Sequence, residues 1–378
     1  MQVDEIHFNH DTTSASHDAL TICRNGLSGA IVAPEWKRGF PSQPAAYARD
    51  ALISPITIKA KFSGGPQNAA RKIRAIDGSP PPPQKSGCAG IIAAIIDAIL
   101  RTLFGNILGE VGAESVVFDA NGNSSLTTFT LIGQWLTPNS FVSKRETKWK
   151  WQYHANGSWH DFDLTTHAIY VVLNVPNAPW VQTGDVTQLP WTDALDRACA
   201  WALGAKTLDE AAALITYGVN RQQNESYTPM TMFGFGDYNL ASYLTHVNNG
   251  MPFIMNCTDC ADAVTTLSNL LGCTLAEGQF FNMQTRPFLS LAGDPSNAAA
   301  WVTFNWSYHE ICWLNDYNSN TVWDGCLQLD MSNVVNVHAA KLPVKMPFSA
   351  GSADDYKPRL IASGPGTLNS FTRHRRVI

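Results

Sequence analysis

The sequence predicts an α+β protein, with an N-terminal β-sandwich followed by a domain in which helices precede strands. Three observations carry this. Segments of the first half alternate apolar and polar residues at period two, the spacing of half-buried strands. After residue 190 the apolar residues fall at helical spacing, and strand-like segments return only toward the end. Between the two regimes lies "NVPNAPWVQTGDVTQLPW", residues 174–191, rich in turn formers. A chain of 378 residues is also too long for one ordinary core. The expected boundaries are a β-sandwich-like domain over 1–178, a second domain over 186–345, and an extended C-terminal tail over 346–378.

The elements follow in chain order. "PITIKAKFSGG" places Ile56, Ile58, Ala60 and Phe62 on one face of a strand and Thr57, Lys59 and Lys61 on the other. "SPPPPQKSG", residues 79–87, reads as a stiff surface loop. The apolar run 87–108 is long enough to raise a membrane question. Asp97 and Arg101 lie four apart and share a narrow polar stripe with Thr102, Gly105 and Asn106. A mostly buried soluble helix, or a helix running into a strand near Gly105, is therefore expected, and a partner-binding helix or membrane contact through residues 89–104 is the lesser reading. "SVVFDANGNSSLTTFTLIG" reads as two strands joined at "ANGN". "TKWKWQYHANGSWHDFD" turns at Asn156-Gly157, and "THAIYVVLNVP" is a further strand closed by Pro176. In the second regime, "PWTDALDRACAWALG" is a helix stopped by Gly204. "TLDEAAALITYGVNRQ" is a helix capped by Thr207. Residues 220–249 read as loop.

Composition narrows the function classes. Hydrophobic residues make up 45% of the chain and charged residues 15%, so polarity comes mainly from uncharged side chains and charge-driven disorder is excluded. The net charge of −5 does not suggest a nucleic-acid partner, and the basic cluster "RHRR", residues 373–376, reads as a solvated tail. The first twenty residues carry neither a basic nor an apolar signal region. The expected location is thus cytoplasmic, or outside by a non-classical route. Eight cysteines are too few for a disulfide scaffold, so reduced thiols are the default.

The candidate chemistry starts from "NCTDCADAVTTLSNLLGC", residues 256–273, with three of the eight cysteines. On a helical wheel Cys260, Val264, Leu267 and Leu271 form one apolar stripe, which makes Cys260 a packing residue. Cys257 sits at the helix start, where unpaired N–H groups and the helix dipole lower a thiol pKa. Asp259 in the same turn works weakly against this, unless it points away. A thiolate nucleophile needs an imidazole, and the imidazole an orienting carboxylate or amide. "SYHEICWLNDYNSNTVWDGC" reads as a hairpin with His309, Ile311 and Trp313 on one strand face and Val322, Asp324 and Cys326 on the next. That register makes His309 and Asp324 direct or diagonal neighbours. Read alone, His309 is sooner a satisfied core histidine and Asp324 a turn-side carboxylate.

The register of Cys257, Asp259, Ala261, Leu271 and Gly272, followed by "HEICWL" and "VWDGC", resembles the transglutaminase-like superfamily of papain-like Cys-His-Asp enzymes, with the core over about 190–335. The resemblance implies Cys257 as nucleophile, His309 as general base and acid, and Asp324 as orienter. It implies acyl transfer from an amide through a thioester, on a protein or peptide substrate. An oxyanion hole would use the Cys257 backbone N–H. Two departures concern the substrate side: Ile311 stands where many members have Trp, and Asp324 directly follows Trp323. The alternative function is a catalytically silent domain used for binding. No cofactor motif is read. A zinc site on Cys257, Cys260, Cys312 and Cys326 lacks a second knuckle, and a redox CxxC lacks its βαβ setting. "FGFGDYN" lacks the Lys and Ser/Thr of a phosphate loop.

Overall fold

The computed structural model describes the chain apart from residues 11–16, 24–30, 80–105, 135, 182–183, 222–224, 229, 235, 292–300, 316–318, 335–336 and 369–372. The apolar helix, the proline run and the membrane reading of 89–104 therefore lie outside the described residues. Among the described residues no helix is long and apolar enough to cross a membrane. The architecture is mixed α+β, mostly strands, with five helices among the described residues. Two compact units form: Met1–Ile22 with Ala30–Val175, and Cys23–Gly29 with Pro176–Ile378.

The first unit contains β1 (Gln2–His7), β2 (Trp36–Lys37), β3 (Ala45–Ala48), β4 (Thr57–Ser63), β5 (Ala70–Asp77), β6 (Glu110–Val117), β7 (Thr127–Ile132), β8 (Ser143–Ala155) and β9 (Ser158–Val172). The expected pair of separate sheets is replaced by one hydrogen-bonded path, β2-β1-β4-β7-β6-β5-β8-β9-β3. Strand β7 is the reason, because it pairs with β4 on one side and β6 on the other. The path then curls over a single core. Phe62 on β4 and Trp151 on β8 are four places apart in the strand order, yet their rings meet at 5.4 Å. Ile58, Phe129, Trp149 and Val171 fill the same interior.

The β8–β9 hairpin forms as its turn chemistry predicts. Asn156 (φ 51°) and Gly157 (φ 78°) both adopt positive φ, as a two-residue type I′ turn requires, and Ala155 pairs with Ser158. One detail differs from the sequence reading. Strand β9 runs unbroken through 158–172, so "THAIYVV" is its second half and not a further strand. A register shift at Trp151/Gln152 places one extra residue, Phe162, in β9 opposite β8.

The second unit holds α1 (Thr192–Trp201), α2 (Leu208–Asn220), β10 (Glu225–Tyr227), α3 (Leu240–Asn249), β11 (Phe253–Met255), α4 (Cys257–Leu270), β12 (Leu275–Thr285), β13 (Phe288–Leu289), β14 (Asn305–Leu314), β15 (Thr321–Trp323), β16 (Gln328–Asp330), β17 (Ala340–Lys341), β18 (Met346–Pro347), α5 (Tyr356–Leu360), β19 (Ile361–Ser363) and β20 (Thr367–Leu368). Its main sheet runs β18-β15-β14-β12-β19, with β20 also on β12. The Thr207 cap of α2 is present as a full capping box with Glu210.

Four expectations change here. Residues 240–249 form α3, capped by Asn239 and closed by Gly250 in the left-handed region. Strand β12 was not anticipated. It pairs with β14 from Leu275↔Leu314 to Gln284↔Asn305, and its polar Glu277 and Gln279 hid it. The second hairpin strand, expected to carry Val322, Asp324 and Cys326 on one face, ends at Trp323, and β16 follows as a separate strand. Asp324 lies just past β15 and its Oδ1 accepts the Cys326 N–H at 2.7 Å, which turns the chain. Finally, residues 346–378 are not an extended tail. They supply β18, α5, β19 and β20, and Arg373 and Val377 bridge to Glu277 and Tyr238.

Candidate functional site

Helix α4 begins where its residues say it should. Asn256 accepts the Asp259 N–H at 3.1 Å and Asp259 accepts the Asn256 N–H at 3.1 Å, a reciprocal capping box. Gly272, at φ 98°, ends the helix. The one-sided stripe expected of it is incomplete, because all fourteen residues are buried. Most of its buried polar groups have protein partners, although Ser268 Oγ and Asp262 Oδ2 have none among the described residues. Asp259 points away from the thiol. Its carboxylate accepts the N–H groups of Met232, Phe233 and Gly234 and the Thr231 hydroxyl, at 2.5–3.0 Å. Gly234 fits there because a Cβ would stand 2.6 Å from Asp262 Oδ2. Asn269 donates to the carbonyls of Ala178 and Leu275, both at 2.7 Å.

Cys257 stands at the helix start, 5% exposed. The helix-start argument predicts a lowered thiol pKa, and the structure reverses it. Burial pushes the Cys257 thiol well above its ordinary value, and Cys326, Glu310 and Asp324 add to the rise. The backbone N–H of Glu310, next in sequence to His309, bonds the sulfur and opposes this.

His309 and Asp324 are brought together. Strand register pairs Cys312 with Trp323, so Asp324 falls diagonally from His309. His309 Nε2 donates to Asp324 Oδ2 at 2.9 Å, with both side chains buried. With the proton on Nε2, the lone pair of the neutral ring is on Nδ1. That atom is buried and has no hydrogen-bond partner. Cys257 therefore lies in the electrostatic neighbourhood of Asp324, but no hydrogen bond joins its sulfur to the ring. The imidazole is clamped by Trp306, stacked at 4.5 Å and 7°, and by Phe280, edge-on at 5.5 Å.

One group of residues was missed by sequence reasoning and contradicts it. Arg375, read as part of a solvated tail, is 7% exposed. It donates to Asp262 on α4, to Glu277 on β12 at 2.9 Å and to Glu310 on β14 at 3.3 Å. Arg373 donates to Glu310 at 2.8 Å, and Thr258 and Gln279 donate to the same carboxylate. Three carboxylates thus face two guanidinium groups. Burial and mutual repulsion disfavour the charged forms of Asp262 and Glu277. Burial raises Asp262 well above the carboxylate range and Glu277 to about 7, while Glu310 is held below its ordinary value by the two arginines against the pull of burial. The only sequence signal was three acidic residues at positions of otherwise apolar elements.

The remaining cysteines near the site pack. Cys260 is 1% exposed on α4, and Cys273 donates to the Leu208 carbonyl at 3.3 Å. Cys312 accepts from Thr265 at 3.2 Å and donates to the Ala261 carbonyl at 3.3 Å. Among the described residues no group of three or more His, Cys, Asp or Glu could hold a metal ion.

The fold and site define an α+β unit with a buried thiol at a helix start and a buried His–Asp pair beside it. No family model and no curated protein matches the chain. Among solved structures the chain is similar to the crystal structure of red sea bream transglutaminase, at 9% identity and a TM-score of 0.37. The alignment covers 91% of this chain and 55% of that one, so this chain spans about half its length. A likeness that distant transfers neither an activity nor a residue's role.

Proposed function

We propose that the protein is a cysteine-dependent acyl-transfer enzyme acting on amide bonds of a protein or peptide. The observation that carries this reading is the buried His309–Asp324 pair, whose Nδ1 is left without a partner. In the reaction, Cys257 passes its proton to His309 Nδ1, and Asp324 stabilises the imidazolium through Nε2. The thiolate attacks the amide carbonyl, the amine leaves with the proton from Nδ1, and a thioester remains on Cys257. Water or a second amine then displaces it, with His309 taking and returning that proton. Because burial holds the thiol protonated, the transfer to His309 has to coincide with substrate approach. Catalytic hydrogen bonds that tighten only in the substrate complex are common.

The second reading is a silent binding domain, favoured by the 5% exposure of Cys257 and the missing thiol–imidazole bond. Iodoacetamide labelling against pH, mapped by peptide mass, separates the two. Iodoacetamide here takes the place of the approaching electrophile, so the enzyme reading expects Cys257, its proton taken by His309 as the reagent reacts, to label first among the cysteines, below about pH 8, with that advantage lost in His309→Ala. Uniform reaction of all thiols at ordinary alkaline pH would establish the silent domain instead.

A further inference from the structure

Asp324 holds more than one donor. Its Oδ2 accepts His309 Nε2–H at 2.9 Å and also the hydroxyl of Tyr356 at 2.6 Å. Tyr356 is wholly buried at the start of α5, inside the segment that reads from sequence as a tail. Its ring stacks on Phe348 at 6.0 Å and meets Phe280 edge-on at 6.1 Å, and Phe280 is the ring that also clamps His309. Among the described residues this is the bond the hydroxyl makes, and its distance is that of a charge-assisted O–H···O⁻ bond.

We propose that Tyr356 is a positioning residue for His309: by donating to the same oxygen of Asp324, it fixes where that oxygen points and how much of its charge the imidazole receives. This deepens the acyl-transfer reading and rests on it. The physical reason is the sharing of one acceptor. An oxygen already bonded to Tyr356 is a weaker acceptor for Nε2–H, so it stabilises the imidazolium less and lets the proton leave more readily. Burial and the adjacent Asp324 push the Tyr356 phenol well up, so it remains a donor across the working range.

The titratable groups around the pair come from several elements. Cys257 is on α4, Cys326 follows β15, Tyr356 is on α5, Tyr227 is on β10, and Tyr308 and Glu310 flank His309 on β14. None of these is changed by Tyr356→Phe except the phenol itself.

Tyr356→Phe keeps the ring and removes one oxygen, and it is compared with the parent chain in two measurements. In iodoacetamide labelling, the Cys257 rate is expected to fall roughly threefold at neutral pH, and its acid limb to move to higher pH by about half a unit. By NMR, the Nε2–H resonance of His309 is expected to shift, because its acceptor has lost a competing donor. A variant that folds and melts as the parent does, with unchanged labelling, unchanged acid limb and unchanged resonance, overturns the proposal. So does a variant that melts earlier while both His309 readouts stay put, since a purely structural tyrosine would do that. The two readings fail separately. If His309→Ala labels like the parent chain, the enzyme reading fails, and the resonance in Tyr356→Phe still decides whether Tyr356 acts on His309.

Discussion

The two units of this protein bury different things. The N-terminal unit encloses aromatic and aliphatic side chains: Phe62, Phe129, Trp149 and Trp151 lie with ring centroids 5.4–6.2 Å apart. The C-terminal unit encloses a helix buried on every side, with three carboxylates, a guanidinium and a His–Asp pair in its interior. The first is built mainly by hydrophobic transfer, although Glu35 and His167 are also buried in it. The second holds together only while each charge keeps its partner, and it is the one that places groups able to move a proton. The difference can be tested by removing one side chain from each interior.

The largest effects come from Arg375→Ala and Trp151→Ala. Removing Arg375 leaves Asp262, Glu277 and Glu310 underpaired in a dry site, with an expected cost of about 3–5 kcal/mol at neutral pH. Truncating Trp151 leaves a cavity of comparable cost, about 3–5 kcal/mol. Calorimetric melting at two pH values sharpens the contrast. The Arg375 penalty should shrink toward acid, where the carboxylates can protonate, and the Trp151 penalty should not. Equal pH behaviour in both variants would break the comparison.

A smaller effect concerns Glu277. Its folded-state value of about 7 lies above the ordinary 4.5, because burial penalises its charge and Glu310 repels it. A raised value means stability that is full below the unfolded value and is lost as pH rises through about 7. Glu277→Gln should therefore lose less stability than the parent chain between about pH 5 and 7.5. Glu35 in the first unit is also raised to about 7 by burial, and it is common to both proteins, so it cancels from the difference. Identical stability–pH slopes would show that Glu277 is not the titrating group.

The smallest effect is local. Thr207→Ala removes the hydroxyl that accepts the Glu210 N–H at 3.2 Å, and about 1 kcal/mol of stability should go with it. A denaturant midpoint with unchanged slope would measure it. A loss several times larger would mean that this cap also supports the buried cluster.

What was legible in the sequence follows the same division. The Asn156-Gly157 turn, the Thr207 cap, the start of α4 at Cys257 and the alternation of β4 all depend on residues close together in the chain. The contact of His309 with Asp324 was within reach for a similar reason, since a hairpin register extends local pairing across fifteen residues. Strand β12 and helix α3 were not legible. Glu277 breaks the apolar pattern of one, and the loop-like composition around 220–249 masks the other.

The sequence by itself determined the mixed α+β character, the helix that carries Cys257 and the hairpin that carries His309. The tertiary structure alone decided that the thiol is raised and not lowered, since a helix terminus acts locally while desolvation depends on everything packed around it. It also decided the fate of the C-terminal segment. Arg375 meets Asp262 across 113 residues and Tyr356 meets Asp324 across 32. No periodicity or motif encodes such pairs, because the charges that make an arginine look solvated in the sequence are neutralised only by side chains that the fold delivers.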